Sequence, residues 1–433
     1  MTVQLECARC AAVYPIDQVR YVCECGGLLD VQHDLEALRP EVNRYLFDGR
    51  LEGVPTPHVA PTINSGVWRY RELILPVTAD AIVSRPEGNT PIYHHRRLSN
   101  WVGLDTLYLK HEGENPTGSF KDRGMTVGVT QARLLGARAV ACASTGNTSA
   151  SLAAYAALAD IPAIVFIPAG KIAAGKLAQA LAYGARTLQV EGDFDAAMQL
   201  VRQVCDELNV YLLNSLNPFR LEGQKSIVFE IVQGFRWQPP DWIVLPAGNL
   251  GNTAAFGKAL YELKQLGLIE RVPRVAAVQA AGANPFYLSF QDGFRQPVTV
   301  RAETVASAIR IGAPVSFERA MRTIGWTDGV VTQVSDAEIM DAKAVVDGVG
   351  IGCEPASAAA VAGARKLAAA GTIHPEQSVV AVLTGNLLKD PTNTVAYHTG
   401  EWPDAAYANR PLSVGVELGA VRRIIEATVD SRR

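Results

Sequence analysis

From Thr106 onward the chain alternates between short apolar runs and longer helical patterns, and this alternation restricts the fold more than any other feature. Thr106 to Lys110 reads as a strand, followed by a helix from Met125 to Leu135 closed by Gly136. Ala139 to Ala143, Ala163 to Ile167, Thr187 to Val190 and Val210 to Leu213 read as strands. Helices from Ser149 to Leu158, Gly175 to Tyr183 and Phe194 to Leu208 separate them. The pattern resumes with a strand at Trp242 to Leu245, a helix from Ala254 to Leu266, and strands at Val275 to Gln279 and Val379 to Leu383. Strands joined by helical crossovers lie parallel, and parallel sheets are covered by helices on both faces. The expected class is therefore α/β, with parallel or mixed sheets covered by helices.

At 433 residues the length suggests roughly three domains, although a large α/β enzyme also folds as two. Residues 1–35 read as a small cysteine-rich ribbon and 36–85 as a connecting segment. Residues 86–433 read as the body, with a smaller subdomain at about 116–215 inserted in a larger one. With 48% hydrophobic and 19% charged residues the composition is that of a globular enzyme. A net charge of −3 gives no footing for nucleic acid or an anionic membrane. No apolar run reaches transmembrane length. The start, Met1-Thr2-Val3-Gln4-Leu5-Glu6, lacks the basic and apolar parts of a signal peptide, so a cytoplasmic protein is expected.

Four of the seven cysteines, Cys7, Cys10, Cys23 and Cys25, fall within the first 25 residues. Two close thiol pairs on tight turns, the second followed by Gly26-Gly27, suit tetrahedral zinc. The second pair has one intervening residue where two is usual, so a ribbon that keeps its cysteines without metal is the alternative reading. Cys142, Cys205 and Cys353 lie in apolar contexts and read as small buried hydrophobes.

Lys121 stands in Asn115-Pro116-Thr117-Gly118-Ser119-Phe120-Lys121-Asp122-Arg123-Gly124, between a turn and a helical stretch. A lysine forms a Schiff base only as the free amine, which requires desolvation or a neighbouring cation to lower its pKa. The plainer alternative is an exposed lysine at a helix start. Pro246-Ala247-Gly248-Asn249-Leu250-Gly251-Asn252-Thr253 follows a strand and opens a helix, where free amides favour an anion. It lacks the Gly-Lys-Ser/Thr of a Walker loop and a complete dinucleotide fingerprint, so it suits a monophosphate. Ser144-Thr145-Gly146-Asn147-Thr148-Ser149 offers hydroxyls and an amide for a carboxylate or a ring hydroxyl, or an ordinary N-cap. Thr384, at the end of another strand, can hydrogen-bond a neutral ring nitrogen. Asn214, Ser215 and Arg220, with Gln224 and Lys225 beyond, make a second phosphate site or an Asn-Pro turn with solvated cations. Loops that follow strands of one parallel sheet meet at its C-terminal edge.

In this order these segments resemble the fold type II, tryptophan-synthase-β-like pyridoxal-phosphate enzymes over residues 85–400. Asn214-Ser215-x-Asn217-Pro218-x-Arg220-x-Glu222-Gly223-Gln224-Lys225, Ala308-Ile309-Arg310-Ile311-Gly312 and Glu354-Pro355-Ala356-Ser357 narrow the resemblance to the threonine synthases. The resemblance implies that Lys121 carries the cofactor aldehyde and that Asn147 bonds its ring hydroxyl. Gly248, Asn249, Gly251 and Asn252 hold its phosphate, with Thr253 close by, and Thr384 contacts the pyridine nitrogen. Phe120 packs near the ring or in the core. Ser144, Thr145 and Thr148 hold the substrate carboxylate, and Asn214, Ser215, Arg220 and Lys225 the substrate phosphate. The implied reaction turns O-phospho-L-homoserine and water into L-threonine and phosphate, in a homodimer with no nucleic-acid or membrane partner. Cysteate synthase and the threonine or serine ammonia-lyases share the fold. A non-catalytic ligand sensor with a zinc ribbon is the rival from another class. The chain departs from the family at Thr384-Gly385-Asn386-Leu387, where Thr-Gly-His-Gly is common, and at Ala313, where a polar residue is frequent.

Overall fold

Parallel strands with apolar residues on both faces build the two larger sheets of this computed structural model, which describes residues 3–52, 64–169, 174–191, 200–201, 203–205, 207–402 and 404–430. The first contains β4 (Ile92–His94), β5 (Leu107–His111), β10 (Trp242–Pro246), β11 (Arg274–Ala280), β12 (Val330–Val334) and β13 (Val379–Leu383). Their spatial order is β12-β11-β10-β13-β5-β4, and only β4 runs antiparallel to its neighbour. The second is wholly parallel, in the order β8-β7-β6-β9, from β6 (Ala139–Ala143), β7 (Ala163–Pro168), β8 (Arg186–Val190) and β9 (Val210–Leu212). A third, antiparallel sheet in the order β2-β1-β3 is made by β1 (Val3–Cys7), β2 (Val13–Pro15) and β3 (Leu29–His33).

The side-chain period of two divides each strand between two cores. Ile243 and Leu245 join one cluster and Trp242 and Val244 the other. In the smaller sheet Val140 and Cys142 face one cluster, Ala139, Ala141 and Ala143 the opposite one. The expected strands are present with ends shifted by a residue at most, while β4 and β12 are additional. The helix expected from Phe194 to Leu208 lies partly outside the described residues, and those described from 200 to 208 are helical. Part of the 36–85 segment also lies outside them.

Three helices begin earlier than the periodicity suggests, at Lys121, Asn147 and Gly251. Their first turns are polar or glycine-rich, so hydrophobic spacing is blind to them. The Asn214–Arg220 stretch read as a loop is a turn only as far as Asn217, which caps a helix from Pro218 to Gly234 by accepting from Phe219 N–H at 3.0 Å. This helix crosses the Lys121–Leu134 helix at glycine. A Cβ at Gly223 would stand 1.7 Å from the backbone oxygen of Arg123, and one at Gly124 would stand 2.8 Å from that of Arg220.

Beneath the crossing lies a buried ion network. Arg123 spans Glu112 with two bonds of 2.6 and 2.7 Å and reaches Glu230 at 2.7 Å. Lys110 reaches Glu230 at 2.5 Å and the Thr90 carbonyl at 2.6 Å. Arg69 adds a longer contact to Glu230 at 3.4 Å. Burial alone would raise the Glu230 carboxyl, but Arg123, Lys110 and Arg69 outweigh it and hold it well below the usual carboxylate range. Removing one member of such a network strands the remaining charges. Glu230→Ala is expected to destabilise the protein by about 3–5 kcal/mol, read as a lowered urea midpoint for the fluorescence of the buried Trp68.

Candidate active site

The strand orders of both large sheets reverse at one edge. In the larger sheet β11 and β12 are added on one side of β10 and β13 on the other, and in the smaller sheet β7 and β8 are added on one side of β6 and β9 on the other. Ligands in such sheets bind beyond the carboxyl ends of the strands at this switch point. The loops after β6, β9, β10 and β13, with the one after β5, carry the residues singled out above.

Hydrogen bonds show which of these loops touch. Phe120 N–H donates to the Thr384 carbonyl at 3.0 Å and Asn386 N–H to the Gly118 carbonyl at 2.9 Å, so the lysine loop is clipped to the Thr384 turn. Thr384 Oγ1 lies 2.9 Å from Ser357 Oγ, which also accepts from Gly385 N–H at 2.8 Å. Asn147 donates through Nδ2 to both carboxylate oxygens of Glu354, at 3.0 and 3.3 Å. Ser144, Thr145 and Thr148 are half-buried in the same loop as Asn147. The lysine loop is held from within by the buried Asp122, whose carboxylate accepts from Thr117 N–H at 2.7 Å, Thr117 Oγ1 at 2.6 Å and Ser151 Oγ at 2.6 Å.

Lys121 is the first residue of its helix and half-buried, its ammonium 4.1 Å from the centre of the Phe120 ring. Phe120 itself rests against the core of the larger sheet. Burial, and then the Arg220 guanidinium, push the Lys121 amine down from its ordinary 10.5 to about 7, with Glu354 pulling the other way. The helix crossing brings the two cations near one another. Arg220 is itself 3% exposed and donates from Nη1 to the Leu213 carbonyl at 3.1 Å, while its Nε has no hydrogen-bond partner among the described residues. Burial pushes it down to about 10. Among the described residues no carboxylate pairs with it.

The loop after β10 turns at Leu250 with φ of +64° and opens a 15-residue helix, Gly251–Gln265. Asn249 ties the loop to the next segment, accepting from Ser316 N–H at 3.1 Å. The first N–H groups of a helix lack intrahelical acceptors and favour an anion. The side chains around them are short of partners as well. Asn252 Oδ1, Thr253 Oγ1, Gln224 Oε1 and Ser316 Oγ are buried without a hydrogen bond among the described residues, and Gln224 Oε1 lies 3.5 Å from where a Gly251 Cβ would stand. Buried polar groups are paired as a rule, so this cluster marks a place for a polar ligand. Two hydroxyls and two amides that can turn their nitrogens inward fit a phosphate.

Two residues assigned to the substrate phosphate by resemblance are otherwise engaged. Lys225 lies about 140° round the helix from Arg220, whereas Gln224 is only about 40° away. Its ammonium is spent on Glu222, Glu262 and the Leu73 carbonyl, each at 2.6 Å, in a buried network with His33 and Lys258, so it does not face the cleft. Asn214 uses both ends of its amide on Ala143, accepting from N–H at 2.9 Å and donating to the carbonyl at 3.1 Å, which fixes the start of the Ser144 loop. Ser215 is half-buried in the same turn. The sequence reading did not select Glu354, Ser357, Asp122 or Gln224 as site residues. Gln224 was within reach of helical spacing from Arg220, and Glu354 and Ser357 stand in a motif already singled out.

A family model described as "Pyridoxal-phosphate dependent enzyme" matches residues 83–385, which makes the chain a member of that class. Two relatives narrow the assignment. The threonine synthase of Methanocaldococcus jannaschii is 42% identical over 97% of this chain and 98% of its own, and that of Methanosarcina acetivorans 47% identical over 90% and 93%. The chain belongs to the threonine synthases. Threonine synthase from Escherichia coli shares the fold across 98% of this chain and 100% of its own, with a TM-score of 0.69 at 20% identity.

A lysine lowered to about 7 captures an aldehyde near neutrality. Uptake of pyridoxal phosphate by the cofactor-free protein, followed by absorbance, is expected to rise with pH through about 7. Arg220→Ala removes a cation that disfavours the ammonium, so it should move that rise to higher pH.

Proposed function

We infer that this chain is a lyase that converts O-phospho-L-homoserine and water to L-threonine and phosphate in threonine biosynthesis. The observation that carries the reading is Arg220, a buried guanidinium with no acid partner among the described residues, set beside the amine of Lys121. A second anion belongs there, distinct from the one at the Gly251 helix. The ammonia-lyases of the same fold act on substrates without a phosphate.

Gly248, Asn249, Gly251, Asn252 and Thr253 would hold the phosphate of pyridoxal phosphate, with Gln224 and Ser316 supplying further polar groups. Asn147 would meet its ring hydroxyl and Thr384 its ring nitrogen. When bound through Lys121, the cofactor supplies an aldehyde for the substrate amine and a ring that draws off electron density as C–H bonds break. Ser144, Thr145 and Thr148, with the first amides of their helix, orient the substrate carboxylate. Arg220 and Ser215 hold the substrate phosphate, with Asn214 shaping the turn beneath. Lys121 takes the proton from Cα, and a second proton leaves Cβ as the Cγ–O bond breaks. Protons return to Cγ and Cα. Water supplies the new hydroxyl at Cβ and the proton carried away by phosphate. Being uncharged for about half the time near pH 7, Lys121 can both accept and return a proton.

Zinc at the N-terminal cysteines is part of the proposal. The four sulfurs lie within 4.8 Å of one another, with Cys7–Cys25 at 3.5 Å and Cys10–Cys23 at 3.6 Å. A tetrahedral zinc with bonds of about 2.3 Å sets its sulfurs about 3.8 Å apart. Arg9 N–H and Cys10 N–H already approach Cys7 Sγ, at 3.4 and 3.5 Å. A homodimer and a cytoplasmic location complete the reading. The first is supported by the habit of the fold class, the second by seven cysteines of which none is in a disulfide.

Lys121→Ala is expected to abolish both the absorbance of the bound cofactor and turnover, and retained turnover sinks the mechanism. Arg220→Ala should lower kcat/KM for phosphate release from phosphohomoserine on the order of 100-fold. Comparison with phosphoserine and free threonine as substrates separates this activity from cysteate synthase and ammonia-lyase. Elemental analysis should find one zinc per chain, lost in Cys10→Ser with a lowered melting temperature. Absence of zinc in the parent protein overturns that part.

A further inference from the structure

Glu354 is a buried carboxylate in the cleft that no step above employs. It immediately precedes the Pro355–Ala369 helix, is 5% exposed, and its backbone N–H donates to the Gly385 carbonyl at 3.0 Å. A Cβ at Gly385 would fall 2.4 Å from both Cδ and Oε1 of Glu354, so the carboxyl group lies directly against the Thr384-Gly385 turn and only glycine leaves it that room. Ser357, one helical turn on, bonds Thr384 at 2.9 Å. On its other side the carboxylate accepts from Asn147 Nδ2 at 3.0 and 3.3 Å. A carboxylate only accepts, so this contact settles which end of the Asn147 amide faces it. Residues from two separate strand ends thus meet around one acid.

We propose that Glu354 is a positioning residue for the reaction. Its carboxylate turns the Asn147 amide so that the second N–H is free for the cofactor's ring hydroxyl, and it is the electrostatic partner of Lys121 whenever that amine carries a proton. The proposal rests on the assignment of Lys121 as the cofactor lysine. The charged groups that face this region are the cations Lys121, Lys389 and Arg220 and the acid Asp122. Asp122 is occupied by Thr117 and Ser151. The Cys353 thiol, next in sequence, is pushed up by burial and is neutral, with Asp347 and Lys343 beyond it. Glu354 acts on both Lys121 and Lys389 in favour of their charged forms. It therefore opposes burial and Arg220 and favours the protonated form of the Lys121 amine. A base that never holds the proton it removes cannot return it.

The test uses the holoenzyme and three substitutions. Glu354→Gln keeps an acceptor for Asn147 and removes the charge. The pH-dependent absorbance transition of the bound cofactor, and the acid limb of kcat/KM, should both move to lower pH. kcat should fall on the order of tenfold with KM little changed. Glu354→Asp keeps the charge but is one methylene too short for Asn147. It should leave the transition in place and weaken cofactor binding, measured by equilibrium dialysis, several-fold. Glu354→Ala should weaken cofactor binding further, and that loss should vanish in an Asn147→Ala background. An unshifted transition in Glu354→Gln overturns the electrostatic role, and additive losses in Glu354→Ala and Asn147→Ala overturn the positioning role. If Lys121→Ala keeps the cofactor absorbance, the lysine assignment itself fails, whatever the Glu354 variants do.

Discussion

The cleft depends on the contact between Arg123 and the two acids Glu112 and Glu230. Arg123 lies two residues after the reactive lysine, Glu112 directly follows β5, and Glu230 sits on the helix that carries Arg220. One guanidinium therefore locks together the lysine helix, the larger sheet and the anion helix. A buried ion network is poor evidence for stability in itself, because well-packed apolar residues often do as well. Its value here is geometric. The bidentate fork accepts a narrow range of orientations, so the start of the Lys121 helix cannot rotate without breaking it.

With that anchor in place, the chemistry follows from how closely two helices approach. Gly223 and Gly124 let the backbones of the two helices touch, which sets Lys121 and Arg220 in the same buried corner. Two cations in a desolvated place cost free energy unless one gives up its proton or an anion arrives. In the proposed function the protein uses both outcomes. Lys121, with the lower intrinsic pKa, becomes the partly neutral amine needed to meet an aldehyde. Arg220, lowered only to about 10, remains charged with no carboxylate paired to it among the described residues. The desolvation and repulsion that lower the amine, and the attraction proposed to select the substrate, are two consequences of one juxtaposition.

Much of this was legible in the sequence. Apolar strands at Ala139, Trp242 and Val379 identify themselves because they are buried on both faces, and residues of the Lys121, Asn147 and Gly248 loops lie where strand-then-helix spacing puts them. Less legible was anything that depends on rotation about a helix axis. Lys225 looked like a partner for Arg220 because it is near in sequence and has the right charge, but the turn of the helix sends it into the network with Glu222 and Glu262. Glu354 was hidden for the opposite reason. It stands far from Asn147 along the chain, and only the approach of the helix after it to the Thr384 turn brings the two together. Periodicity reports which face of an element is apolar, whereas the partners of a polar side chain are decided by tertiary packing.

For the same reason the fold alone does not name the chemistry. The anion loop at Gly251, the lysine and the Thr384 turn stand at strand ends, whose positions the sheets dictate, and they suffice for a cofactor. The proposed selection of a phosphorylated substrate would rest instead on one face of the Pro218–Gly234 helix, where Arg220 and Gln224 point the same way and Glu222 and Lys225 another. Exchanging Arg220 for a neutral residue would change no strand end, yet it would remove the charge that, in the proposed function, makes a phosphate ester preferable to a free hydroxyl. In the proposed function substrate class is set by a few side chains on a helix that the sheets merely hold in place, and Arg220, buried with no acid beside it among the described residues, is the feature that supports a substrate bearing its own anion.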